Sequence, residues 1–151
     1  MKMSARKVPP RILIGALALT LAGHSLAAQG PRPHPADEAN AIRTIVIKLQ
    51  SAIRGDQRRT IATLILFPME IIKAPLGLTR VPSVRVFMTV YPSVFTRKLR
   101  DAILRQNPDS IVVRNGTATF ADGRVVIGYR CATTDPNSCA TGVTQIRPYK
   151  N

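Results

Sequence analysis

The sequence predicts a single α+β domain, with helices in the first part of the mature chain and an antiparallel sheet at its end. Between Pro35 and Ile53 the apolar residues recur at the three- and four-residue spacing of a helix. From Ser110 onward the apolar period changes to two, which is typical of strands. Asn115-Gly116 and Asp122-Gly123 indicate hairpin turns there, because both central positions of such turns need a positive φ. Helices followed by hairpin-linked strands indicate the α+β class.

The first helix is predicted from Pro35 to Ile53. Asp37 and Glu38 stand at its start and Arg54 at its end, which complements the helix dipole. Its predicted core-facing stripe consists of Ile42, Ile45, Val46, Leu49 and Ile53.

A second, shorter helix is predicted between Gly55 and Pro68. Gly55 ends the first helix, and the side chain of Asp56 caps the second. Pro68 stops the second helix, because proline cannot continue the helical hydrogen bonding.

The rest of the chain alternates turn signals with short apolar segments. Val84–Tyr91 is ambiguous, because its β-branched residues favour a strand, whereas a third helix depends on the resemblance described below. Phe95, Leu99 and Ile103 share one face of a predicted helix. The other predicted elements are a strand at Met69–Lys73, a turn at Pro75 and Gly77, a hairpin extension at Val81–Ser83, the helix Phe95–Gln106, and strands at Ile111–Arg114, Thr117–Ala121, Arg124–Cys131 and Val143–Arg147.

The N-terminus has the order of a secretory signal peptide. A basic start without acidic residues precedes an apolar run from Ile12 to Ala22, and cleavage is expected after Ala27 or Ala28. The run is shorter than the roughly 20 residues that span a bilayer, and a retained anchor is the alternative. The arginine-rich composition is typical of a bacterium, so a periplasmic or secreted protein is expected. The chain then divides into a signal peptide at 1–28, a flexible lead-in at 29–35 and a domain at 36–151.

The charge balance favours acidic partners. The chain has 22 basic and 8 acidic residues, a net charge of +14. Removing the four basic residues of the leader leaves 18 basic residues against the same 8 acidic ones, about +10. Such a field attracts an anionic surface or an acidic envelope protein, while export argues against nucleic acid. A basic, solvated surface without a partner is the alternative.

Cys131 and Cys139 are the only cysteines, and in an exported protein they are expected to form a disulfide. Two thiols supply half of a zinc shell, and the two histidines, His24 and His34, lie in the leader and the lead-in. We therefore expect no metal site and no cofactor.

The order of elements resembles a known superfamily. The run Leu49–Pro68 ends in Phe67-Pro68 before a strand; Tyr91-Pro92-Ser93-Val94-Phe95-Thr96 then precedes a basic helix, and a glycine-punctuated meander follows. This resembles secreted bacterial members of the nuclear-transport-factor-two-like superfamily, which includes SnoaL-like polyketide cyclases and ketosteroid isomerases. The resemblance implies the cystatin-like cone: helices packed in a strongly curved antiparallel sheet, with a pocket at its open end. It also implies homodimerisation through the open sheet face as an alternative to a monomer.

An isomerase of this fold would need a pocket carboxylate and hydrogen-bond donors. Glu70 is the one acidic residue inside a predicted strand, and Tyr91 and Tyr129 are the phenols expected near a pocket. A Glu70–Tyr129 pair would be a minimal acid–base site. Alternatively, Glu70 faces solvent and pairs with Lys73 or an arginine, and both phenols pack at the rim.

The predicted helix Phe95–Gln106 is basic. Arg97, Arg100 and Arg105, together with Lys98, form a candidate anion-binding face opposite its apolar stripe. Asp101 is four residues from Arg97 and from Arg105 and can pair with either one. A solvated helix surface is the alternative interpretation.

The sequence thus favours an exported, non-enzymatic binding or accessory domain for a small apolar ligand or an envelope protein. One alternative is a cyclase- or isomerase-like enzyme with a pocket carboxylate. A second is a cationic protein that binds the envelope surface.

Overall fold

The computed structural model describes residues 35–73, 77–132 and 138–149. The predicted signal peptide, and the lead-in up to residue 34, lie outside these residues. So do most of the predicted turn at Pro75 and Gly77 and most of the loop between the two cysteines.

The two N-terminal helices form where the sequence predicts them. Helix α1 runs from Pro35 to Arg54 and α2 from Arg58 to Thr63. The capping prediction is wrong, because Gln57 occupies the cap position and makes no side-chain cap bond. Asp56 instead adopts the left-handed backbone conformation, with φ 46°, in the turn between the helices.

The prediction that Pro68 stops the second helix is also wrong. Helix α2 ends at Thr63, and Pro68 lies inside strand β1, Ile65–Lys73. The pairing of β1 with the last strand is irregular between Ile65 and Glu70. Proline has no amide hydrogen to donate to a neighbouring strand. Within a sheet it is therefore found where the regular pairing is interrupted, as it is here.

The ambiguous middle segment is helical. Helix α3 spans Val84–Val94 and follows strand β2, Gly77–Val81. It buries Phe87, Tyr91 and Val94, which recur at helical spacing. Helix α4, Arg97–Arg105, begins two residues later than predicted, because the Thr96 hydroxyl caps it by accepting from the Leu99 amide.

The sheet is mixed, so the prediction of a wholly antiparallel sheet is wrong for one pair of strands. Its order is β2-β1-β6-β5-β4-β3, so β2 and β3 are open edges and the sheet is not closed into a barrel. Strand β1 pairs parallel with β6, and the other neighbours are antiparallel. The long connection through α3 and α4 allows this parallel arrangement. The C-terminal strands are β3 Val113–Arg114, β4 Thr117–Phe120, β5 Val125–Cys131 and β6 Cys139–Ile146.

Both predicted hairpin turns have the expected backbone. Asn115 and Gly116 have φ of 50° and 70°, and Asp122 and Gly123 have φ of 57° and 75°. Cys131 and Cys139 are directly opposite each other on β5 and β6 and form the predicted disulfide.

Gln50 connects the first and the last helix inside the core. It is 5% exposed, and its amide nitrogen donates to the carbonyls of Ile103 and Gln106. Both carbonyls lie at the end of α4, where the Ile103 carbonyl also accepts from the Gln106 backbone amide at 3.3 Å. A buried polar side chain thus holds α4 against α1.

Candidate functional site

The two faces of the sheet are distinguished by burial along β1 and β5. Met69 and Ile71 are buried in the core, so Glu70 between them points to the outer face. On β5, Ile127 is fully buried, so Tyr129 lies on the same, helix-covered face.

The structure therefore does not bring Glu70 and Tyr129 together. The Glu70 carboxylate accepts a hydrogen bond of 3.2 Å from the Gln145 amide on β6 and has Arg80 opposite on β2. The hypothesised Glu70–Tyr129 pair is corrected, because the alternation of side chains along the strands places the two on opposite faces of the sheet.

Glu38, Gly116 and Tyr129 meet on the helix-covered face, and we call this group the Tyr129 site. A methyl group added to Gly116 would lie 2.5 Å from Tyr129 Cε2 and 3.7 Å from Glu38 Oε2. The ring thus packs directly on the backbone of the β3–β4 turn, with the carboxylate beside it. The Cys131–Cys139 disulfide ties the two strands together two residues beyond Tyr129.

The Tyr129 hydroxyl is buried and has no hydrogen-bond partner among the described residues. Burial, and then the charge of Glu38, raise the pKa of Tyr129 to about 12. The phenol is therefore neutral near pH 7, with a proton to donate. An unpaired buried hydroxyl costs about 1–3 kcal/mol, so an acceptor from outside the chain would be stabilising here.

Glu38 was not predicted as a site residue, because an acidic side chain in the first turn of a helix is already explained by the helix dipole. One signal was available: Glu38 precedes Ile42 by four residues and so continues the core-facing stripe of α1. An acid on that stripe faces the sheet rather than solvent.

Tyr91 lies in a separate aromatic cluster. Its ring stacks on Phe95 at 5.0 Å and meets Phe87 edge-on at 5.7 Å. Asp56, Arg58 and Arg100 surround it, and we call these three residues with Tyr91 the Tyr91 cluster. Glu38, beside Tyr129, lies near the start of α1, whereas Asp56, beside Tyr91, follows the end of α1 at Arg54. Glu38 and Arg54 are about 24 Å apart at helical rise, so Tyr91 and Tyr129 belong to separate sites.

The basic side chains of α4 do not form one continuous anion-binding face. Arg97 lies 3.9 Å from Asp101, Arg105 lies 3.9 Å from Asp122, and Arg100 turns toward Asp56 at 3.6 Å. On the other flank, Lys98 lies 4.5 Å from the ring centroid of Tyr149. Arg97 pairs with Asp101, one of the two pairings that the spacing allowed.

Comparison with known proteins gives no relative: no family model, curated protein or solved structure matches this chain. Within the described residues, no set of three or more histidine, cysteine or acidic side chains is placed to hold a metal ion. None of the described helices has the length and hydropathy needed to cross a membrane.

Proposed function

We propose that this chain is an exported binding domain of the nuclear-transport-factor-two-like superfamily, with its ligand at the Tyr129 site. The observation that carries the proposal is the buried Tyr129 hydroxyl, which has no partner among the described residues. Two helices, a hairpin, further helices and a closing meander are the order expected of that superfamily. The irregular pairings in β1 and between Val126 and Ile127 favour a bent sheet, as a cone requires.

The site favours a small ligand with an apolar body and one hydrogen-bond acceptor. The neutral Tyr129 phenol would donate to that acceptor. Glu38 would accept a donor from the same ligand if it carries one. Ile127, two residues before Tyr129 on the same face of β5, is apolar, which suits an apolar ligand body.

Native mass spectrometry of protein recovered from the periplasm tests this proposal. We expect an additional small-molecule mass on the wild type and its loss in Tyr129→Phe. Tyr149→Phe is the matched control, because the Tyr149 hydroxyl donates to Asp122 at the surface, 2.7 Å away. A bare mass for the wild type, or equal ligand retention in both variants, would contradict the proposal.

A cyclase- or isomerase-like activity is a second candidate, because the Tyr129 site places a carboxylate beside a phenol. Glu38 would act as the base and Tyr129 as the hydrogen-bond donor to the developing oxyanion. The test is deuterium exchange into the recovered ligand. Wild type should catalyse it, and Glu38→Gln should retain the ligand without exchange. Equal exchange in Glu38→Gln would exclude Glu38 as the base.

A further inference from the structure

The Tyr91 cluster contains an unpartnered group that is independent of the Tyr129 site. Tyr91 is 2% exposed, and its hydroxyl has no hydrogen-bond partner among the described residues. Phe87 and Phe95 hold the ring in place. Burial, and then the charge of Asp56, raise the pKa of Tyr91, against the opposing effect of Arg100 and Arg58. The phenol is therefore a fixed, neutral donor with an unused proton.

Two arginines share one carboxylate next to this phenol. Arg58 Nη2 lies 3.5 Å from Asp56 Oδ2, and Arg100 Nη1 lies 3.6 Å from Asp56 Oδ1. The Arg58 guanidinium carbon is 5.2 Å from the centroid of the Tyr91 ring. Each contact is single and long, so neither arginine forms the bidentate pair that a carboxylate prefers. The cluster therefore keeps one net positive charge and several N–H groups that have no acceptor among the described residues.

The cluster is open to solvent on its charged side. The side chains of Arg58, Arg100 and Asp56 are 49%, 37% and 55% exposed. Arg54 and Arg59, on either side of the turn between α1 and α2 that contains Asp56, are also exposed and raise the local positive potential. An anion can thus reach the guanidinium groups from bulk solvent.

We propose that the Tyr91 cluster is a binding site for a phosphate group, held by Arg58 and Arg100 with the Tyr91 hydroxyl as a third donor. Guanidinium groups match the tetrahedral oxygens of phosphate better than an ammonium does. Asp56 competes for the same donors and so limits the affinity of the unmodified chain. The phosphate group belongs either to a lipid headgroup or to a free phosphate compound, which present the same chemistry.

The first arm of the test is a titration of the purified protein with inorganic phosphate, followed by NMR. We expect Arg58→Gln and Arg100→Gln each to raise the Kd about three- to tenfold, the effect of one partly exposed charged hydrogen bond. Arg97→Gln is the matched control, since it removes the same charge from a side chain that is 93% exposed. An equal effect of all three substitutions would show that phosphate binding depends only on the overall charge of the protein, and would overturn the proposal.

Asp56→Asn should change the Kd for phosphate in the opposite direction. It removes the competing carboxylate, so phosphate should bind about threefold or more tightly. Asp101→Asn is its control, because it makes the same charge change at the Arg97 pair. Tyr91→Phe should weaken phosphate binding about threefold without destabilising the free protein, since the lost hydroxyl has no partner in the described part of the chain.

The second arm uses vesicles of phosphatidylcholine with and without phosphatidylglycerol. If Arg58→Gln weakens binding to the anionic vesicles more than Arg97→Gln does, the site binds a lipid headgroup. The same difference with inorganic phosphate alone assigns it to a free phosphate compound. Binding to neither probe, or no difference between the two variants, would overturn the proposal.

Discussion

Gly116 shows at the scale of one residue how a turn positions a functional side chain. Its φ of 70° lies in the left-handed region, and a Cβ there would overlap the ring of Tyr129. The turn signal at Asn115-Gly116 predicts the positive φ from sequence alone. The contact with Tyr129 is not predictable that way, because it depends on how two distant segments fold together.

Gly116→Ala should therefore destabilise the protein more than an equivalent change at another turn. Gly123 is the matched control, with φ 75° and, among the described residues, no atom within 4 Å of an added Cβ. Both variants carry the backbone cost of about 1 kcal/mol, and Gly116→Ala adds an overpacking cost of about 1–3 kcal/mol. Urea unfolding measures the difference, and equal losses in both variants would show that the Gly116–Tyr129 contact is not tight.

Tyr129 should also make stability depend on alkaline pH. Its pKa is raised from 10.0 to about 12, so folding favours the protonated phenol. The stability from this group is fully present below pH 10 and is lost as the pH rises toward 12. Tyr129→Phe should reduce the fall in unfolding free energy between pH 10 and 12, measured by urea unfolding. An unchanged fall would argue that the phenol has an ordinary pKa.

At the scale of elements, sequence patterns predict what depends on local chain geometry. The helical stripe of α1 and the positive-φ hairpins are local signals, and the structure contains both. Pro68 inside β1 and the parallel β1–β6 pair depend on contacts distant in sequence. The carbonyls of Leu66 and Pro68, for example, accept hydrogen bonds from Arg130 on β5. No local pattern around Pro68 indicates such a partner.

Gln50 offers a direct test of how α4 is held on α1. Gln50→Ala leaves the Gln106 carbonyl without its side-chain donor and removes one of two donors to the Ile103 carbonyl, so we expect a loss of about 1–3 kcal/mol. Lys48→Ala, at an exposed position of α1, should change stability by no more than about 0.5 kcal/mol. Thermal and urea unfolding measure both. A Gln50→Ala loss as small as that control would mean that these hydrogen bonds contribute little.

At the scale of the whole molecule, the α+β class and the disulfide follow from composition and period. The candidate site does not, because Glu38, Gly116 and Tyr129 come from a helix, a turn and a strand separated in sequence. Their proximity depends on strand order and on the packing of α1, and neither can be predicted from local patterns in a single sequence. Tyr129 was predictable as a candidate, whereas the sequence could indicate Glu38 only as an acid on the core-facing stripe of α1 and not as the partner of Tyr129.

Export and oxidation are testable together on the intact chain. We expect the denatured mass of periplasmic protein to correspond to cleavage after Ala27 or Ala28. Reduction should raise that mass by about two hydrogens, as one disulfide between Cys131 and Cys139 requires. A full-length mass would instead indicate a retained leader, and a mass insensitive to reduction would contradict the disulfide.

A crystal structure of the protein as recovered from the periplasm would show whether a ligand accepts a hydrogen bond from the Tyr129 hydroxyl. We expect density that is not protein, with an acceptor atom about 2.5–3.0 Å from Tyr129 Oη, next to Glu38. A hydroxyl bonded to the protein's own groups, or a site filled by its side chains, would contradict the claim.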